Sequence, residues 1–463
     1  MKNIPEDLLK RILRDSLSTG GDYADIFVEQ TNPLTIQLED NKVDRIVSGV
    51  DSGIGLRVIF NGRSAYAYTN DFSEASLFEL SRAVRSAVTA GKAKVGEIDL
   101  TRVNPSIDFK MKLRPDTVSM DKKIRLLQDA DRAARSVSSK VIQVKVIYRD
   151  SVQRVTIASS EGAIASDERI HTLALVQVVA SDGDILQTGY EPVGGLKGFE
   201  LFQEVSLENI AVETAEKAVR MLSARRTPGG RMAVVISAAA GGTMIHEAVG
   251  HGLEADLVQQ GLSVYANKIG EVIASPLVTI IDDSTLSGRR GSFRFDDEGA
   301  HSQRTVLVDK GILKGYMYDR LTSMKDGVSS TGNGRRESYK SRPIPRMTNT
   351  FIASGDDDPA GIVRSVEKGL FVKKMGGGQV NTVTGEFVFE VSEGYLIENG
   401  IIGEPVRGGT LIGNGPSIIK SIDMVGSDLD FAIGTCGKDG QGVPVSDAMP
   451  TIRIPEMVVG GEI

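Results

Sequence analysis

The chain has 463 residues, of which 25% are charged and 40% hydrophobic, proportions of a folded protein that exclude wholesale disorder. Acidic residues outnumber basic ones by 61 to 54, and the formal net charge of −7 argues against a general nucleic-acid binder. A single cysteine excludes a disulfide scaffold and fits a reducing compartment.

The first part of the chain shows the same order of elements twice, at about 1–95 and 113–224. Each repeat begins with an amphipathic helix, continues with antiparallel strands and ends with a second helix. Asn61-Gly62 predicts a hairpin turn, and Asp182-Gly183 occupies the corresponding place in the second repeat. The first 17 residues mix acids and bases, which is not typical of a signal peptide. The predicted strands are 24–30, 34–39, 44–50, 54–60, 63–68, 141–148, 152–158, 170–180 and 185–188.

Glycine divides the chain in two. Residues 1–224 hold 14 of the 51 glycines, so most glycines lie in residues 225–463. This high glycine content predicts many short strands and turns in the second part. A polar Pro-Gly-Gly stretch at 224–231 follows a predicted helix and marks the boundary. We therefore predict an α+β protein with an N-terminal α+β domain, 1–224, and a C-terminal, mostly β catalytic domain, 225–463.

The second part opens with a strand at 232–237 and a helix at about 239–259. Its clearest uncharged apolar stretch, 232–245, is too short to span a bilayer, so we expect a cytoplasmic protein. The rest is predicted to be β-rich, with strands at 278–281, 305–308, 312–318, 387–391, 395–398 and 452–457.

The helix at 239–259 carries two of the four histidines, in the sequence His246-Glu-Ala-Val-Gly-His251. About 0.002 occurrences of His-Glu-x-x-x-His are expected by chance in this composition. On a regular α-helix, residues five apart diverge by about 140°, which prevents easy binding of one metal ion by both rings. A π-type turn would bring them together, and Gly250 removes a side chain where such a turn is needed. The spacing therefore predicts a π-bulge between the two histidines.

A catalytic zinc site has three protein ligands and one open position. Glu254, on the same helix, and Cys436, in the glycine-rich segment 434–442, are both candidates for the third ligand. We favour Cys436, because thiolates prefer zinc and its glycine neighbours predict a polar loop. Glu254 is then expected to orient a histidine from outside the metal shell.

Several segments resemble the TldD branch of the TldD/PmbA family of metallopeptidases. They are HEAVGHGLEAD at 246–256, DDEG at 296–299, TGNGRRESYKSRPIPRMTNT at 331–350 and GTCGKDGQ at 434–441. The resemblance implies a zinc peptidase acting on short or unfolded peptides, with the metal held by His246, His251 and Cys436 and with Glu247 as the catalytic residue. It also implies a closed dimer, either a homodimer or a heterodimer with a PmbA/TldE-like sister subunit that lacks the helix motif.

The expected chemistry is attack by zinc-bound water, with Glu247 accepting its proton and passing it to the leaving amine. One alternative is a non-catalytic peptide-binding or scaffold subunit with a structural metal site, which would require Glu254 as a fourth ligand. Another is a thiol nucleophile at Cys436, for which the His-Glu-His helix would be surplus. The oxyanion-stabilising group stays open among Tyr339, His301, Arg335 and Arg336.

Two further charged segments have simpler interpretations. The stretch 334–346 carries five basic residues and one acid, which favours a solvated loop over a channel wall or a subunit contact. Asp296-Asp297-Glu298 is interpreted as a solvated turn rather than a site for a hard cation. We expect no bound nucleotide at Met375-Gly376-Gly377-Gly378, because the lysine of a phosphate-binding loop is missing.

Overall fold

A computed structural model of the protein describes residues 4–88 and 95–462. The ends of the first predicted repeat, 1–3 and 89–94, lie outside the described residues. Eight strands of the first half form one sheet, in the order β4-β3-β1-β6-β7-β5, with β2 beside β1 and β8 beside β7. The strands are β1 Tyr23–Glu39, β2 Lys42–Ser48, β3 Asp51–Phe60, β4 Arg63–Thr69, β5 Thr101–Arg102, β6 Val141–Ser159, β7 Ala163–Asp182 and β8 Ile185–Gly195.

The strands β1 and β6 join the two repeats through a long antiparallel ladder, from Asp25 opposite Ser159 to Glu39 opposite Lys145. The separate strands predicted at 24–30 and 34–39 are therefore one strand, as are those at 141–148 and 152–158. Asn61 and Gly62 both have positive φ, 48° and 68°, so the predicted hairpin is confirmed.

Helices cover one face of this sheet because alternate strand residues on that face are apolar. The first helix pair packs over Ile26 and Leu56, and the second over Ile36 and Val176. These helices are α1 Glu6–Ser16, α2 Glu74–Ser86, α3 Met120–Ser136, α4 Leu201–Glu204 and α5 Leu207–Leu222, with a 3₁₀ turn at Pro115–Thr117.

The second half is mostly β, and the predicted α+β class is confirmed. Its strands are β9 Arg225–Arg226, β10 Gly230–Ile236, β11 Ile280–Asp283, β12 Arg304–Asp309, β13 Ile312–Leu313, β14 Gly334–Arg335, β15 Ile344–Pro345, β16 Asn349–Ile352, β17 Lys368–Val380, β18 Glu386–Glu398, β19 Ile401–Arg407, β20 Gly409–Asn414, β21 Met424–Val425, β22 Asp430–Lys438, β23 Gln441–Met449 and β24 Ile452–Gly460. Its helices are α6 Thr243–Ile245, α7 Ala255–Gln259, α8 Arg320–Asp326, α9 Pro359–Arg364 and α10 Gly415–Ser421.

Two sheets of this half position the candidate site. In the first, β17, β10, β24, β20 and β18 pair in succession, and β17 also pairs with β18, which closes a barrel-like ring. The second has the order β13-β12-β11-β16-β23-β22. A large apolar core lies between them, and the helical segment after β10 runs through it.

Buried ion pairs join the two halves across the other face of the N-terminal sheet. Arg57, 1% exposed, donates from Nε to Asp25 at 2.7 Å, and its Nη2 lies 2.7 Å from a Glu298 oxygen. Arg169 donates to Asp297 at 2.7 Å. Because burial of unpaired charge is costly, these pairs fix how the C-terminal segments sit on the sheet.

Candidate metal centre

Two glycines set the direction in which the chain leaves β10. Gly241 has a φ of 74°, which favours glycine, and a Cβ at Gly242 would overlap the backbone of Ala448 on β23. The Gly242 N–H donates to the Asp447 carboxylate at 2.9 Å. The helical segment therefore begins at Thr243, close against β23.

His246 begins a π-helical turn, His246–Gly250, and His251 directly follows it. The His251 N–H donates to the carbonyl of His246, the five-residue spacing of a π-helix. The ring centroids are 5.1 Å apart, with an interplanar angle of 89°. The predicted π-bulge is confirmed.

The helix predicted at about 239–259 is divided into more pieces than the single π turn expected between the histidines. The segment consists of a 3₁₀ turn at Ala238–Ala240, then α6, the π turn, a 3₁₀ turn at His251–Leu253 and α7. Glu254 has an extended backbone with ψ 123°, which separates the last two pieces. These changes of hydrogen-bonding pattern turn both imidazoles towards Cys436 and bring the Glu254 carboxylate behind His251.

Gly250 is required by packing as well as by the turn. A Cβ on Gly250 would overlap the sulfur of Met347 and lie 3.1 Å from its Cε. Met347 is fully buried, so it has little room to withdraw.

Cys436 lies on β22, opposite Val443 of β23. The predicted polar loop is therefore wrong: Asp439 and Gly440, with φ of 50° and 71°, form the turn of a hairpin instead. The Cys436 side chain is buried, with 3% exposure. The hairpin brings it from the edge of the six-stranded sheet to the helical segment that follows the barrel.

His246, His251 and Cys436 form a buried cluster whose candidate ligand atoms lie within 4.8 Å of one another. The Cys436 Sγ is 3.2 Å from His246 Nε2 and 3.5 Å from His251 Nε2. Zinc bonds of about 2.3 Å to sulfur and about 2.0–2.1 Å to nitrogen place these atoms about 3.6 Å apart at a tetrahedral angle. The cluster therefore fits a zinc ion in its donor types and its spacing.

The three side chains perturb each other's protonation. Burial raises the pKa of the Cys436 thiol, but hydrogen bonds from the two imidazoles lower it to about 5. Burial opposes protonation of both histidines, yet Cys436 raises the pKa of His246, and the Glu254 charge together with Cys436 raises that of His251. A thiolate is thus the favoured form near neutral pH, which is the form that binds metals.

Glu254 lies behind His251 and outside the cluster. Its Oε2 is 2.9 Å from His251 Nδ1, on the side of the ring away from Cys436. The expected orienting contact is therefore present. The same oxygen lies 3.1 Å from Lys438 Nζ, so it faces away from the point where the three ligand atoms converge.

Glu247 follows the first histidine of the cluster and is partly exposed. Across residues 4–88 and 95–462, no hydrogen bond or ion pair holds its carboxylate. Burial, and after it the Glu247 charge, raises the pKa of Asp447.

The four oxyanion candidates are engaged elsewhere or exposed. Arg335 donates to the carbonyls of Met347 and Pro444, and Arg336 to that of Asp297. The Tyr339 hydroxyl donates to Asp51 of the N-terminal sheet at 3.0 Å. His301 is exposed and its ring lies against Phe295.

The basic stretch 334–346 is not the solvated loop expected from its composition. Arg335, Arg336 and Arg346 are at most 5% exposed, while Lys340 is half exposed. The Arg346 guanidinium donates to the carbonyls of Cys436 and Gln441. It thereby holds the hairpin of β22 and β23, called here the metal-proximal hairpin because it carries Cys436. The stretch is an internal support between the N-terminal sheet and this hairpin.

The solvated turn predicted at 296–298 is also wrong. Asp296 accepts backbone N–H groups from Glu298, Ala300 and Gly334, and Asp297 accepts one from Arg336. All three acidic side chains are buried. They hold backbone and arginines together, so nothing about them indicates a cation site.

Sequence reasoning missed three residues around the cluster: Asp447, Lys438 and Arg346. Lys438 stood within the GTCGKDGQ segment, so its nearness to Cys436 was a usable signal. Arg346 stood within the segment 331–350, but nothing there indicated its contact with the Cys436 carbonyl. Asp447 had no signal, because its position depends on the pairing of β22 with β23.

Family models of the PmbA/TldA metallopeptidases match three parts of the chain: domain 1 at residues 24–91, the central domain at 113–222 and the C-terminal domain at 229–461. A Haemophilus influenzae protein named metalloprotease TldD homolog is 39% identical over 448 residues, covering 95% of this chain and 93% of that protein. A Methanothermobacter thermautotrophicus protein named metalloprotease is 37% identical over 462 residues, 99% of each chain.

Solved structures share the fold at lower identity. A Thermotoga maritima protein described as a proposed modulator of a DNA gyrase has a TM-score of 0.81 at 20% identity, over 98% of this chain and 100% of that one. TldE from Thermococcus kodakarensis has a TM-score of 0.74 at 16% identity, over 98% and 100%. Among the described residues, no helix is long and apolar enough to cross a membrane.

Proposed function

The chain belongs to the PmbA/TldA metallopeptidase family, and from that premise we propose that it is a zinc-dependent peptidase cleaving short or unfolded peptides. His246, His251 and Cys436 would hold one zinc ion per chain. Glu247 would act as the general base and then as the general acid. The proposed location is the cytoplasm.

The observation that carries the proposal is the convergence of one thiol and two imidazoles beside an unengaged carboxylate. A thiolate with two imidazoles is a donor set that favours zinc over harder cations. Three protein ligands leave a fourth position for water or substrate, the arrangement of catalytic rather than structural zinc. Both histidines use Nε2 towards Cys436, so their Nδ1 atoms are left for orienting contacts.

Zinc, when bound, would polarise a peptide carbonyl and make water acidic enough to lose a proton near neutral pH. The chain's own residues do the rest. Glu247 accepts the proton of the attacking water and donates it to the departing amine. The buried surroundings of His246 and His251 exclude bulk water, which strengthens electrostatic interactions in the site.

The scaffold alternative, with a structural metal closed by four protein ligands, requires Glu254 in the metal shell. The contacts of Glu254 with His251 Nδ1 and Lys438 weigh against it. Under the thiol-nucleophile alternative, Cys436 would have to reach a substrate, which its burial between two imidazoles opposes.

We further propose that the protein works as a dimer, either a homodimer or a heterodimer with a PmbA/TldE-like sister subunit, and binds neither nucleic acid nor membranes. A dimer that encloses the site would exclude folded proteins and protect other proteins in the cell from cleavage. Light scattering gives the oligomeric state, and digestion of one substrate protein in native and unfolded forms tests selectivity. A monomeric protein, or equal cleavage of the native and unfolded forms, would contradict the proposed dimer and its selectivity. Neither result would contradict the proposed zinc chemistry.

The metal requirement is tested by chelation and reconstitution. Removal of metal from the purified protein should abolish cleavage of an unstructured peptide, and one equivalent of zinc per chain should restore it. Alkylation of the metal-free protein distinguishes the zinc mechanism from the thiol-nucleophile alternative. A cysteine peptidase would stay active after chelation and lose activity when Cys436 is alkylated. Cleavage that persists without metal would refute the zinc mechanism.

A further inference from the structure

The two histidines of the cluster are supported unequally on the sides that face away from Cys436. His251 Nδ1 lies 2.9 Å from a Glu254 oxygen, a hydrogen bond. His246 Nδ1 lies 3.8 Å from Asp447 Oδ2, beyond hydrogen-bond distance, and is buried without a hydrogen-bond partner. A buried ring nitrogen without a hydrogen-bond partner costs free energy. The nearby Asp447 carboxylate is therefore a candidate partner for His246 Nδ1.

Asp447 is itself held in place. It lies on β23, opposite Ala432 of the strand that carries Cys436. Its Oδ1 accepts the N–H of Gly242, the residue before the helical segment that carries His246, at 2.9 Å. One carboxylate thus touches the start of this segment while its second oxygen faces His246. A movement of about 1 Å would bring that oxygen within hydrogen-bond distance of Nδ1.

Lys438 supports the other histidine indirectly. Its ammonium lies 3.1 Å from Glu254 and 2.6 Å from Asp256, and it donates to the Pro345 carbonyl at 3.1 Å. Glu254 is fully buried, and an unpaired carboxylate there would be strongly destabilised. Since Lys438 lies two residues after Cys436, this ion pair also ties the metal-proximal hairpin to the end of the helical segment.

We propose that Asp447 and Lys438 are positioning residues of the metal centre, Asp447 by accepting the Nδ1–H of His246 and Lys438 by fixing the Glu254 carboxylate on His251. Each histidine is thereby held in the tautomer and ring orientation that direct Nε2 towards Cys436. The inference rests on the proposed metal site, but it concerns metal affinity and is separate from whether peptides are cleaved. Partners of this kind typically change metal affinity by about 10- to 100-fold.

The test measures zinc affinity by competition with a chromophoric chelator. Asp447→Ala and Lys438→Met should each raise the Kd about 10- to 100-fold. Asp447→Asn, which keeps one acceptor oxygen, and Lys438→Arg, which keeps the charge, should restore part of the affinity. Matched controls are Asp439→Asn in the turn of the same hairpin and Lys420→Met on the exposed side of α10, both expected to bind zinc like the wild type.

Cobalt substitution supplies a second readout. The visible absorption bands of bound Co²⁺ report ligand geometry. Asp447→Ala and Lys438→Met should therefore shift these bands, while the control variants should not. Thermal melting of the metal-free proteins identifies any variant that fails to fold. If Asp447→Ala or Lys438→Met does not fold, the zinc affinity of Asp447→Asn or Lys438→Arg tests the proposal instead. Wild-type Kd and unchanged cobalt spectra in Asp447→Ala and Lys438→Met would overturn the proposal. Normal zinc binding by the wild type without peptide cleavage would contradict the proposed function and leave this inference standing.

Discussion

Substitution of Gly250 by alanine tests whether the π turn depends on close packing as well as on hydrogen bonding. A Cβ at Gly250 would overlap the Met347 sulfur and approach its Cε to 3.1 Å, inside the optimal separation of about 3.5–4.0 Å. Met347 is fully buried, so the strain cannot be relieved at the surface. Overpacking of this kind costs about 1–3 kcal/mol, which raises the unfolding equilibrium constant about 5- to 150-fold.

The assay is denaturant unfolding of the metal-free protein combined with zinc titration. We expect Gly250→Ala to lose stability by this amount and to bind zinc more weakly, because His251 follows the displaced residue. Gly315→Ala, where no atom lies within 4 Å of the added Cβ, is the matched control. The double variant Gly250→Ala/Met347→Ala should recover the zinc affinity, since it removes the overlapping sulfur. Wild-type stability and affinity in Gly250→Ala would refute the packing argument.

Three further predictions concern the ligands, pH and the contact between the two halves. Cys436→Ala should lower zinc content well below one ion per chain by elemental analysis, whereas full content would move the third ligand to Glu254. Zinc affinity should fall as pH is lowered, because protons compete with the metal for the two histidines. The fall should start above the ordinary histidine pKa of about 6.5, since the pKa values of His246 and His251 are raised. A titration showing constant affinity down to pH 6 would contradict this. Arg57→Met should cost about 3–5 kcal/mol in urea unfolding, because it leaves buried Glu298 without its cation and Asp25 with only the 3.4 Å contact to Arg336, while the exposed Arg63→Met should cost little.

Local sequence patterns sufficed where the structure depends on neighbours along the chain. The five-residue spacing of His246 and His251 required a π turn, and one is present. Asn61-Gly62 required a hairpin, because few other pairs accept positive φ at both positions. Both features are decided within a few residues, so the sequence alone predicts them.

Other predictions failed where distant pairing decides. The strands predicted at 24–30 and 34–39 are one strand, because β6 pairs with β1 continuously from Asp25 to Glu39, including Pro33 opposite Ser151. Arg335, Arg336 and Arg346 were expected in a solvated loop, but carbonyls and carboxylates from distant segments pair with them. Asp447 could not be recognised for the same reason: its position beside His246 exists only after β23 has paired.

The most direct test of the zinc-peptidase account compares zinc content and peptide cleavage in the wild type and in Glu247→Ala. Glu247 makes no described contact that the fold needs, so the variant should fold and retain one zinc ion per chain. Its cleavage of an unstructured peptide should fall by about 100-fold or more, the contribution of general acid–base catalysis. Equal cleavage by both proteins at equal zinc content would contradict the account.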